Sequence, residues 1–191
     1  MTLTLTFANK ITIARILAVP FFISTVLYYH PARDHLRYAA LGIFLFAVIS
    51  DVIDGYVART RNQRTRAGAI LDPIADKLLL MSAFICLFKV GTMFKIIELP
   101  IWLVVSVISR DVILLLGSMI IYLVHGELNI EASKWGKATT FFQVICIIGI
   151  LLYWPKMEAL WYVTVAFTVI SGIDYLRNGV KILNQPVFIK K

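Results

Sequence analysis

Six runs of mainly apolar residues, approximately 9–29, 37–59, 69–90, 99–124, 136–154 and 159–177, decide most of what this 191-residue chain can become. Each is near the roughly 20 residues a helix needs to cross about 30 Å of hydrocarbon. A hydrophobic content of 60% is far above that of a soluble domain, so the runs are predicted as membrane spans rather than one protein's core. In lipid each backbone amide must find its partner within its own segment, which leaves helix as the conformation. The expectation is an all-α integral membrane protein with six transmembrane helices in a single domain over residues 1–191.

The net charge of +8 does not point to nucleic acid, because the basic residues cluster in short segments between apolar runs. Twelve of them fall on one side: Lys10, Arg15, Arg59, Arg61, Arg64, Arg66, Lys134, Lys137, Arg177, Lys181, Lys190 and Lys191. Five fall on the other side, namely Arg33, Arg37, Lys89, Lys95 and Lys156. By the positive-inside rule both termini and the loop after span two are expected in the cytoplasm, with the chain in the inner or plasma membrane. No small-residue cleavage pattern follows Lys10 and Arg15, so the first run reads as a retained span. Tyr28, Tyr29, Trp102, Trp154 and Trp161 sit near run ends and read as interfacial anchors. Cys86 and Cys146 lack any metal-ligand spacing and read as packing residues.

Four acids break the apolar pattern at one place: Asp51, Asp54, Asp72 and Asp76. An ionised carboxylate beside hydrocarbon costs at least about 2 to 3 kcal/mol unless something compensates it. In helices, Asp51, Asp54 and Ala58 share one face, and Gly68, Asp72 and Asp76 share another. The polar stretch 60–67 between them predicts two antiparallel helices whose acids meet at the cytoplasmic surface. Hard oxygen donors in that number suit Mg²⁺ or Mn²⁺, and a pair of such ions is the usual means of handling a pyrophosphate. Gly55, Ala58 and Gly68 remove bulk and would let a nucleotide or diphosphate approach. The alternative is a structural network of the acids with Arg59, Arg61, Arg64 and Arg66.

The spacing Asp51-x2-Asp54-Gly55-x2-Ala58-Arg59-x8-Gly68-x3-Asp72-x3-Asp76 resembles the signature of the CDP-alcohol phosphotransferases at every specified position. The resemblance implies a membrane enzyme that moves a phosphatidyl or related group from a CDP-activated donor to an alcohol, with release of CMP. It implies a two-metal site at the cytoplasmic ends of helices 2 and 3. Asp51, Asp54 and Asp72 are there the main ligands, and Asp76 is ligand and proposed base. The CDP donor would lie against Asp51, Gly55, Ala58, Arg59 and Gly68, and the enzyme would be a homodimer in contact with membrane lipids.

Beyond the signature, several basic residues could hold an acceptor phosphate. Asn9, Thr12 and Arg15 open the first span, where Lys10 and Arg15 would otherwise only snorkel to lipid phosphates. Arg110, with Asp111, lies deep in span four, as an internal salt bridge or as a cation facing the cleft. Lys134 and Lys137 start span five with Thr140 one turn on, as ligands or as topogenic charges. Asp174 and Arg177 read as a mutual pair in span six.

These features, with the LDPIADKLLL run and Asn62-Gln63, resemble bacterial phosphatidylglycerophosphate synthases within the family. That implies CDP-diacylglycerol as donor and glycerol 3-phosphate as acceptor, with Arg110, Lys137, Arg15, Thr12 and Lys134 about its phosphate. Asp111 departs mildly, since that subgroup usually has Glu. The alternative of the same fold is a cardiolipin synthase, whose acceptor is phosphatidylglycerol. A divalent-cation transporter would need acids along a path through the bilayer, and a scaffold would be indifferent to Mg²⁺.

Overall fold

A computed structural model describes the backbone of residues 7–60, 66–91, 99–125 and 133–183, and the side chains of 12–53, 74–91, 99–121 and 133–180. Among the described residues six α-helices follow one another: α1 (Phe7–Leu27), α2 (His35–Thr60), α3 (Arg66–Val90), α4 (Ile101–His125), α5 (Lys134–Leu151) and α6 (Glu158–Leu183). A 3-10 turn, Pro31–Arg33, joins α1 to α2. The six expected runs and the six helices coincide, with ends displaced by a few residues. Lys134, Arg177 and the other polar residues at run ends are compatible with helix, and a hydropathy boundary does not see them.

Three stretches among the described residues are long and apolar enough to span a membrane: His35–Ile53, Ile101–Ile121 and Glu158–Val180. Within α1 the described side chains, Thr12–Leu27, also form an apolar stretch. Physical reasons separate the remaining two helices from these. α3 carries Asp72, Asp76, Lys77 and Lys89, while α5 has 18 residues that include Lys134, Lys137 and Gln143.

The chain forms two compact units, residues 1–100 with 147–155, and residues 101–146 with 156–191. In the first, α1 packs against both α2 and α3. Its core repeats at helical spacing: Phe22 and Val26 on α1 with Tyr29 just past its end, Ala40, Phe44 and Ala47 on α2, Ala75, Leu79, Ala83 and Leu87 on α3. The Phe22 and Phe44 rings meet with centroids 5.9 Å apart. Alanines in the stripe let helices approach where lipid offers no hydrophobic drive to association. Pro20 lacks an amide to donate, and Ser24 Oγ bonds its carbonyl at 2.8 Å.

The far end of this seam is closed by polar contacts. Arg37 lies at the start of α2 and donates Nε and Nη2 to the two oxygens of Asp34 at 2.8 Å each, and Nη1 to the Leu151 carbonyl at 2.6 Å. Its guanidinium lies 4.4 Å from the Tyr38 ring centroid and 4.0 Å from that of Tyr153. Tyr29 is buried, with its hydroxyl on that of Tyr153, so it belongs to this knot rather than to the interfacial anchors expected. Trp161 is likewise buried, whereas Tyr28 and Trp154 are exposed.

In the second unit α4 and α6 run parallel, as successive contacts show: Trp102 on Tyr162, Arg110 on Ser171, Gly117 on Tyr175. The first part of α5 meets α6 through Phe142 and Phe167, whose centroids are 4.7 Å apart, and through Thr139 Oγ1 on the Phe167 carbonyl at 2.9 Å. Thr164 and Thr168 bond carbonyls of their own helix at 2.7 Å, so their hydroxyls are satisfied inside the core.

Candidate active site

The helix α2 runs unbroken through Asp51 and Asp54, and α3 through Asp72 and Asp76. The i,i+3 and i,i+4 relations read from spacing therefore exist as backbone. The side chains of Asp54, Arg59 and Asp72 lie outside the described residues, as do the surroundings of Gly55, Ala58 and Gly68, and Arg61 and Arg64 fall in the undescribed segment 61–65. Among the described side chains no three acids, histidines or cysteines gather to hold an ion.

Asp51 is placed by packing. On α2 the buried positions 40, 44 and 47 continue at Asp51 one turn later, and on α1 the stripe through Phe22 extends back to Arg15 and Thr12. The same seam that buries Phe22 on Phe44 thus delivers Arg15 Nη1 to 2.5 Å from Asp51 Oδ1. Arg15 and Thr12 are buried, while the Asp51 side chain keeps 39% of its surface exposed. Asp76, one turn before the buried Leu79 and Leu80, is half-buried. Carboxylates with one open side, in a set made only of hard oxygen donors, fit Mg²⁺ or Mn²⁺.

In the second unit Arg110 is 6% exposed and Asp111 is fully covered. Arg110 Nη1 donates to Asp111 Oδ1 at 2.7 Å, and Nη2 to Ser171 Oγ at 2.6 Å. The internal pair weighed from the sequence is therefore present, and Ser171 joins it from α6. Sequence reasoning missed Ser171; the signal was the small polar residues Thr164, Thr168 and Ser171 at helical spacing in an apolar run. Gly136 belongs to the same corner, because a Cβ there would stand 3.3 Å from Arg110 Nη2.

Ser133 starts α5: its Oγ accepts from the Gly136 amide at 3.1 Å and its carbonyl from the Lys137 amide at 3.1 Å. Such a cap is worth about 1 kcal/mol. Lys134 and Lys137 are exposed on this first turn. Cations at a helix N-terminus work against its dipole, so Lys134 and Lys137 are not placed there to stabilise α5. Thr140, one turn on, is half-buried, while Thr139 faces the core. Asp174 accepts from Asn178 Nδ2 at 3.3 Å rather than pairing with Arg177 as expected, since i+4 brings the amide closer along α6.

The family profile for CDP-alcohol phosphatidyltransferase matches residues 5–170. A CDP-diacylglycerol–glycerol-3-phosphate 3-phosphatidyltransferase of Bacillus subtilis is 33% identical over 188 residues, covering 90% of this chain and 93% of the relative. A protein of the same name from Haemophilus influenzae is 33% identical over 172 residues, 87% of this chain and 89% of the relative. A Mycobacterium bovis protein provisionally named cardiolipin synthase is 31% identical over 157 residues, 82% of this chain and 68% of the relative.

Proposed function

Because the chain belongs to the CDP-alcohol phosphatidyltransferase family, we infer that it transfers the phosphatidyl group of CDP-diacylglycerol to glycerol 3-phosphate, giving phosphatidylglycerophosphate and CMP. One observation carries the chemistry: two continuous helices hold the four acids at i,i+3 and i,i+4 spacing, with Asp51 beside Arg15 and half-exposed. The acceptor rests on the two relatives named for glycerol 3-phosphate, whose likeness runs over nearly the whole chain.

In this reading the acceptor hydroxyl oxygen attacks the phosphorus that bears the diacylglycerol. A bond to that phosphorus forms as the bond to the CMP oxygen breaks, and the hydroxyl proton passes to Asp76, half-buried at the acid end of α3. Asp51, Asp54, Asp72 and Asp76 would hold Mg²⁺ or Mn²⁺, which when bound supplies charge neutralisation at the pyrophosphate. Gly55, Ala58, Arg59 and Gly68 with Asp51 take the CDP portion, small residues giving the diphosphate close access to the backbone. The acceptor phosphate is assigned to Lys137 and Lys134 on the first turn of α5, with Arg110 behind Gly136 and with Arg15 and Thr12 from α1 as further candidates. The excess of basic residues at the acid end supports a cytoplasmic location for that end, in the reading of a six-span inner or plasma membrane enzyme acting as a homodimer.

The test is CMP release by purified protein in detergent with CDP-diacylglycerol and Mg²⁺, offered glycerol 3-phosphate or phosphatidylglycerol separately. Release with glycerol 3-phosphate alone is expected. Release with phosphatidylglycerol alone would move the assignment to cardiolipin synthesis, which the Mycobacterium bovis relative favours. No release with either would refute the transferase reading.

A further inference from the structure

Arg15 retains 2% of its surface, and its Nη1 stands 2.5 Å from Asp51 Oδ1. Desolvating a guanidinium costs several kcal/mol, and an arginine near a span end can ordinarily avoid that cost by extending to the membrane surface. Arg15 instead turns inward along the seam of α1 and α2, and the partner it meets is not buried with it. The Asp51 side chain, beside the guanidinium, keeps 39% of its surface exposed.

We propose that Arg15 is the positioning residue and built-in counter-charge of Asp51, drawing on the same carboxylate that a divalent cation uses. The proposal rests on the reading of Asp51 as a cation ligand given above. Four acids on two helices repel one another unless positive charge is near, and Arg15 supplies one permanent unit of it at a defined oxygen. It fixes where the Asp51 carboxylate points. Because guanidinium and cation share one carboxylate, they are negatively coupled: each weakens the other's hold.

The experiment is thermal unfolding of the purified full chain in detergent, in EDTA and then in saturating Mn²⁺. R15Q removes the counter-charge, so it is expected to unfold at lower temperature in EDTA and to gain about twice the wild-type increment in Tm on adding Mn²⁺. R15K keeps the charge but loses the planar fork, so its gain should fall between those of wild type and R15Q. Should R15Q fail to fold, R15K decides alone, with a gain above wild type expected. In a D51N background, R15Q should change the Mn²⁺ increment no further. A gain in R15Q or R15K equal to or below that of a responsive wild type overturns the proposal and leaves the metal reading standing. A wild type that gains nothing from Mn²⁺ removes Asp51 as a cation ligand, and the proposal falls with it.

Discussion

Two arginines close the opposite ends of one helix seam, and they are used differently. Arg37 and Asp51 are fourteen positions apart on α2, about 21 Å of helix, and facing them Arg15 lies on α1 while Tyr29 lies two residues past its end. At one end Arg37 is saturated: both Asp34 oxygens, the Leu151 carbonyl and two tyrosine rings take up its fork and its faces. At the other, Arg15 reaches a carboxylate held by another helix that keeps 39% of its side-chain surface exposed. A bidentate pair formed three residues apart in one segment fixes a fold locally. A contact across helices to a half-open acid leaves that acid able to take a further ligand.

The sharpest way to break this comparison is at the open end. Asp76→Asn is expected to lower CMP release about a thousandfold, the scale of a lost general base, while CDP-diacylglycerol binding stays largely intact. Wild-type turnover in that variant would remove Asp76 as base and with it the claim that this end is the reactive one. The closed end should respond oppositely. Arg37→Met leaves the buried Leu151 carbonyl without its charged donor and is expected to cost about 3 kcal/mol of stability, read by unfolding in detergent. CMP release per folded molecule should be unchanged. A fall in turnover larger than the fall in folded fraction would show that the Arg37 knot serves the chemistry too.

How much of this was legible beforehand follows from the range of each interaction. The six helices could be read because an apolar run reports its own length, and the acids because their spacing is local to one helix. The partner of Arg15 could not, since Asp51 lies 36 residues away and the pairing depends on the rotation of α1 against α2. Asp111 was visible beside Arg110, but Ser171, 61 residues on, was not. Tyr29 shows the same limit in reverse. A tyrosine at a run end has the composition of an interfacial anchor, and only the turn after α5, which brings Tyr153, makes it a buried hydrogen-bonding residue.

A loss of stability placed away from both arginines sharpens the contrast. A Cβ at Gly117 on α4 would stand 2.6 Å from the Tyr175 hydroxyl and 2.8 Å from its Cε1, and that hydroxyl bonds the Leu114 carbonyl at 3.2 Å. Gly117→Ala is therefore expected to cost about 2 kcal/mol by overpacking, with turnover per folded molecule kept, as for Arg37→Met. Adding Tyr175→Phe should recover part of the loss, because the hydroxyl is the nearest obstacle. A double variant no more stable than Gly117→Ala would show that the α4 backbone, not the ring, takes up the strain.

The smallest effect tests whether the closed end is held by charge. The hydrogen bond from Arg37 holds the Asp34 carboxyl below its ordinary value of 3.8. A depressed carboxylate contributes stability that is present above its unfolded value and lost as pH falls through its folded one. Unfolding in detergent should therefore ease as pH is lowered below about 4, and Asp34→Asn should flatten that part of the profile while lowering stability slightly at neutral pH. Asp34 is half exposed, so water screens the pair and the change should be modest. A profile that Asp34→Asn leaves unaltered would mean that Arg37 is held chiefly by the Leu151 carbonyl and the two tyrosines. The closed end would then be secured by packing and a single carbonyl, and the ion pair that invites comparison with Arg15 and Asp51 would be incidental to it.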